Sequence, residues 1–163
     1  MKKMNRTLFA ALLATGAVGT VVAGERIPVR GAYAAIDKGQ VLELSKSHTV
    51  ISAISEGLGY IIEGQGSSTP MQYAAGPCSG IIEIKDGIAS GFGYCLRTNP
   101  SGGKWVLRWE ALPDLSKGLT GKWEMTGVEG NAVGWKGSGT WGPLLNSNPG
   151  RYINTFSGTL EKP

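Results

Sequence analysis

Between Cys78 and Cys95 the chain reads CSGIIEIKDGIASGFGYC, the segment that most narrows what it can fold into. Asp86-Gly87 is the preferred pair for a two-residue type I′ turn, in which both central residues take φ > 0. A turn there fixes the register of the flanking strands: Lys85 opposes Ile88, Ile82 opposes Gly91, and Cys78 opposes Cys95. Counted outward from the turn, the cysteines form a non-hydrogen-bonded pair, where Cα atoms approach to about 4.5 Å, within disulfide range. A redox or metal role would want C-x-x-C spacing or supporting histidines, and neither is present. The same alternation gives the hairpin two faces. Cys78, Gly80, Ile82, Ile84, Ala89, Gly91, Gly93 and Cys95 make one apolar face of unusually small residues; Ser79, Ile81, Glu83, Ile88, Ser90, Phe92 and Tyr94 make the other. Small residues on facing strands let a bulky side chain or a ligand come close to the backbone.

The rest of the chain keeps this rhythm. Short apolar or alternating runs fall near 29–36, 40–45, 48–55, 58–63, 79–85, 88–97, 104–111, 120–126, 137–142 and 151–160, separated by turn residues. That spacing predicts an all-β domain, an antiparallel sandwich or barrel of about eight to ten strands. Glycine supplies 26 of the 163 residues, far above the usual share of about 7%. Each would cost a helix interior about 0.5 to 1 kcal/mol, so helices are expected only as single turns in connections. Hydrophobic residues at 41% against 17% charged place the chain among folded rather than disordered sequences.

The first residues read differently. Lys2, Lys3 and Arg6 precede an apolar run from Leu8 to Val22, and Val21 and Ala23 suit a small-residue cleavage site, so 1–23 reads as a secretory signal peptide and 24–163 as a single domain. The run is short and rich in small residues for a membrane anchor, and no later stretch is a better candidate for a span. A bacterial periplasmic or secreted protein is expected, in conditions that form disulfides. Three of the 16 basic residues and none of the acidic ones lie before Gly24, so the net charge of +4 falls to +1 for 24–163. With no basic excess left, nucleic acid and anionic membranes are poor partners.

All five tryptophans lie between Trp105 and Trp141. In KWVLRWEA, alternation sends Trp105, Leu107, Trp109 and Ala111 to one face; Trp123 and Met125 repeat the pattern in KWEMT. A tryptophan-lined interior is either core or, in a small barrel, a site for a flat apolar molecule. The candidate wall residues are Trp105, Trp109 and Trp123, with Tyr94 and Phe92 from the neighbouring hairpin. Gly64 to Pro77 (GQGSSTPMQYAAGP) is either a surface loop or a lid over a cavity, with Met71 and Tyr73 at its centre.

Other motifs carry little chemistry. Gly137 to Gly142 satisfies G-x-G-x-x-G, but Pro143 follows where a dinucleotide site needs a helix N-terminus. His48 is the lone histidine, which excludes multi-histidine zinc sites; it is either a surface residue or an acid/base at a barrel mouth beside Ser45 or Ser47. Arg108 and Glu110 share a strand face, as a polar pair or as solvated charges. No cofactor and no metal is implied.

A Gly93-Tyr94-Cys95 strand end, a polar turn, a strand ending in Trp109 and then GKWEMTGVEGNAVGWKGSGTW resemble small exported bacterial proteins of the allene-oxide-cyclase and dirigent type of eight-stranded barrel. Gly127, Gly130, Gly134, Gly137 and Gly139 fall at matching places, while Val128-Glu129 and TNPSGG depart from that pattern. The resemblance implies a closed antiparallel barrel with an apolar interior, which such relatives use to hold a reactive hydrophobic molecule in one shape. It carries over no catalytic residue. Three readings follow: a non-enzymatic exported barrel binding a small apolar molecule, a cofactor-free isomerase or cyclase, and an envelope structural or interaction protein with a filled barrel. A cavity of roughly 300 Å³ or more separates the first two from the third.

Overall fold

A computed structural model describes residues 24–63, 69–147 and 150–163; the expected leader, 1–23, lies outside them. Nine antiparallel strands follow one another: β1 (Arg26–Asp37), β2 (Gln40–Ser45), β3 (His48–Glu63), β4 (Ala74–Lys85), β5 (Ile88–Thr98), β6 (Lys104–Ala111), β7 (Gly121–Glu129), β8 (Lys136–Ser147) and β9 (Arg151–Glu161). Eight close into a barrel, each beside its sequence neighbour from β3 to β9, with β1 seated between β9 and β3. The one helical piece among the described residues is a 3-10 turn, Gly130–Ala132.

Strand β2 stands outside the ring. It continues β1 past a kink at Lys38-Gly39, where Asp37 Oδ1 accepts the Gly39 amide at 2.8 Å, and it pairs only with the first part of β3. The second part of β3 pairs with β1 and thereby closes the barrel. Candidates 48–55 and 58–63 are thus one strand of 16 residues. Gly57, between them, makes no turn. A side chain there would collide with the Ala34 carbonyl and the Tyr33 ring, so its role is close approach of β1 to β3.

The hairpin of β4 and β5 has the expected register, from Lys85↔Ile88 to Cys78↔Cys95. Asp86 and Gly87 both take positive φ, 52° and 79°, and the disulfide joins Cα atoms 4.0 Å apart. The polar stretch before it is shorter than expected: β4 already begins at Ala74, residues 69–73 form a turn, and 64–68 lie outside the described residues.

The barrel is filled at one end. Trp105, at 1% exposure, and Leu160, at 0%, lie there with Trp135, Met125 and Ile27, and Ala132 and Met71 pack over them from the connections. Burying such side chains contributes on the order of 1.5 to 3 kcal/mol each, which makes this end the anchor of the fold. The Trp105 indole nitrogen has no hydrogen-bond partner there. A second cluster around Cys78, Ile82, Cys95 and Trp109 lies toward the other end and is looser, with half-buried Tyr33, Ile51, Leu107 and Trp141 around it. No helix among the described residues is long and apolar enough to cross a membrane.

Candidate functional site

Between the two clusters the barrel holds a cavity of about 620 Å³. Its apolar wall is built by inward positions of β6, β7, β8 and β9, notably Leu107, Trp109, Trp123, Trp141 and Phe156. The rings meet edge to face, Trp109 with Trp141 at 6.2 Å and Trp123 with Phe156 at 6.3 Å between centroids. Such contacts hold flat side chains in fixed orientations. Indole nitrogens are tied to the wall itself: Trp123 Nε1 donates to the Thr140 carbonyl at 3.1 Å and Trp141 Nε1 to that of Lys122 at 3.2 Å. Trp123 and Trp141 thus turn carbon toward the cavity. Asp37, Leu119, Gly150 and Arg151 stand at the rim, at the end away from Trp105.

The opposite side is polar. Tyr152 Oη donates to Ser55 Oγ at 2.8 Å, and Tyr33 Oη approaches the same oxygen at 3.5 Å. Burial pushes the Tyr152 hydroxyl up to about 12, outweighing the bond to Ser55 that favours ionisation, so near neutral pH it is a neutral donor. Behind this pair lies Arg97, only 8% exposed. Its guanidinium carbon sits 4.1 Å from the centroid of the Tyr33 ring. Nη1 donates to the carbonyls of Gly57, at 3.1 Å, and Gly76, and Nη2 donates to Cys78 Sγ at 2.8 Å. One side of the cavity is therefore hydrocarbon, and the other presents hydroxyls and a buried cation.

The five wall candidates separate on this geometry. Trp109 and Trp123 both line the cavity, and their Cα atoms are partners across β6 and β7. Trp105 shares their face but lies deeper, in the filled end. Phe92 and Tyr94 stand on the outer surface, 51% and 50% exposed, packed edge to face at 6.4 Å. The alternation that turns Gly93 and Cys95 inward turns these two out, so neither is a wall residue. His48 pairs with Glu83 at 2.7 Å, and Arg108 with Glu110 at 3.3 Å with both side chains exposed. Gly137–Gly142 lies within β8 and makes no phosphate loop.

Sequence reasoning missed Trp141, Phe156, Tyr33, Tyr152, Ser55 and Arg97. For Arg97 the signal was available: it lies two residues beyond Cys95 and shares its inward parity. No protein-family model matches the chain, and no curated protein matches it.

Proposed function

We propose that the chain is an exported barrel that binds a small, largely apolar molecule inside its cavity. The observation that carries this reading is the space itself, about 620 Å³ with a wall of Trp109, Trp123, Trp141 and Phe156. Sites for small molecules span about 300 to 1,000 Å³ and combine an apolar lining with a few polar groups that fix orientation. The resemblance to allene-oxide-cyclase and dirigent barrels supports the same use of an apolar interior. Export is supported by the leader-like residues 1–23 and by the Cys78–Cys95 disulfide. Protein recovered from the periplasm or medium should begin near Gly24; an intact mass that retains Met1 to Ala23 would contradict export with cleavage.

Tryptophan emission provides the binding test. A panel of apolar aromatic and polyene molecules should include some that quench or shift it saturably. Trp109→Ala should weaken that binding more than it weakens folding, and Arg108→Ala, on the outer face, should do little to either. A panel without any saturable change would remove the binding reading.

A further inference from the structure

Arg97 is a buried cation. The ion pairs Arg26–Glu161, Lys38–Glu56, His48–Glu83, Lys104–Glu129 and Arg108–Glu110 all leave it out, and no carboxylate among the described residues pairs with it. A guanidinium carries five N–H donors. Three are taken by the Gly57 and Gly76 carbonyls and Cys78 Sγ, which lock the group across β3 and β4. The remaining two, on Nε and Nη2, have no partner among the described residues. Arg97 also lines the cavity, as do Tyr33, Ser55 and Tyr152. Asp37, the one carboxylate among the described residues that line the cavity, stands at the rim, where its Oδ1 is taken by the Gly39 amide.

Burying a cation is unfavourable unless an opposite charge or several hydrogen bonds offset it, and here the offset is partial: two carbonyls, a sulfur and one aromatic face. A structural brace alone would be served by neutral donors. A fixed guanidinium edge next to open space matches the two oxygens of a carboxylate. From these observations we infer that Arg97 anchors the acid group of an amphipathic organic carboxylate, whose apolar body lies along Trp109, Trp123 and Phe156 toward the rim. The Tyr152 hydroxyl, a neutral donor, lies on the same side. This inference rests on the binding reading above and adds the charge of the ligand to it.

Dodecanoate, its methyl ester and dodecan-1-ol share one hydrocarbon body and differ in the head group. Titrated against the disulfide-bonded protein and followed by tryptophan emission and calorimetry, dodecanoate should bind saturably at one per barrel, about tenfold or more tighter than the ester or the alcohol. Arg97→Met should bring dodecanoate down to the affinity of the alcohol and leave the alcohol where it was; Arg97→Lys, which keeps charge but loses the fork, should fall between. Equal affinities for acid, ester and alcohol in the unaltered protein would overturn the inference and leave the binding reading intact. That comparison needs no variant, so it stands even if Arg97→Met fails to fold. Absence of binding by all three would overturn the inference; the reading beneath it falls only if the aromatic and polyene panel shows no saturable change either.

Discussion

The indole of Trp109 occupies the space that a side chain at position 93 would need: a Cβ built on Gly93 would overlap ring carbons Cζ2 and Cε2. The small-residue face of the β4–β5 hairpin is thus a bed for this ring. Gly93→Ala should cost about 1 to 3 kcal/mol, the usual range for overpacking. In a Trp109→Ala background the same substitution should cost less, though not nothing, because the Ser79 carbonyl also meets the new Cβ. Urea unfolding of the four proteins gives the coupling energy, and strict additivity would refute the contact as the cause.

The Cys78–Cys95 bond should be present in protein recovered from an oxidising compartment. Non-reducing peptide mapping checks it, and two free thiols would contradict the pairing. Cys95→Ala should lower stability by about 2 to 5 kcal/mol without changing the register, because the Asp86-Gly87 turn sets that register independently.

Alkaline titration should show a late phase from Tyr152. This hydroxyl should ionise at about 12, above the ordinary value of 10.0. A raised acid pKa means that the unfolded chain gives up its proton first. Tyr152 therefore supports the fold fully below pH 10, and its contribution falls as pH rises toward 12. Ultraviolet titration of Tyr152→Phe should lack the late phase, and its stability should fall less steeply above pH 10. A late phase that survives in the variant would assign it elsewhere.

Strand β2 should be the least protected strand in hydrogen exchange. It pairs on one edge only, and Val41, Leu42 and Leu44 are 64%, 59% and 54% exposed, so little apolar burial holds it down. Its amides should exchange well before those of β1, which has a partner on both sides. Equal protection of the two would show that something covers β2 in solution.

How much of this was legible in the sequence depended on whether the deciding force was local. Asp86-Gly87 sets a hairpin by its own backbone preference, so register, disulfide and both faces could be read before any tertiary contact was known. Trp105, Trp109 and Trp123 point inward by simple alternation. The runs 48–55 and 58–63 read as two strands because the reason for the intervening Gly57 lies across the sheet, in the backbone of β1. Arg97 was passed over because charge normally goes outside; what keeps it inside is the Tyr33 ring, the Gly57 and Gly76 carbonyls and Cys78 Sγ, from three other strands. Depth, too, is a tertiary property: parity puts Trp105 and Trp109 on one face, but only the packing of Leu160 and Ala132 makes one of them core and the other cavity wall.

The place of β1 between β3 and β9 bears on the order of events during synthesis. From β3 to β8 each strand meets its neighbour as soon as it is made, but one edge of β1 waits for the last strand, and the Arg26–Glu161 contact at 2.8 Å joins residues 135 positions apart. Until then the nascent chain is an incomplete cylinder with exposed edges at β1 and β8, the kind of surface on which chains pair with one another. A ribosome that stops before Arg151 would therefore release an open sheet with two sticky margins, and quality control in the cell would meet it as a precursor of aggregates.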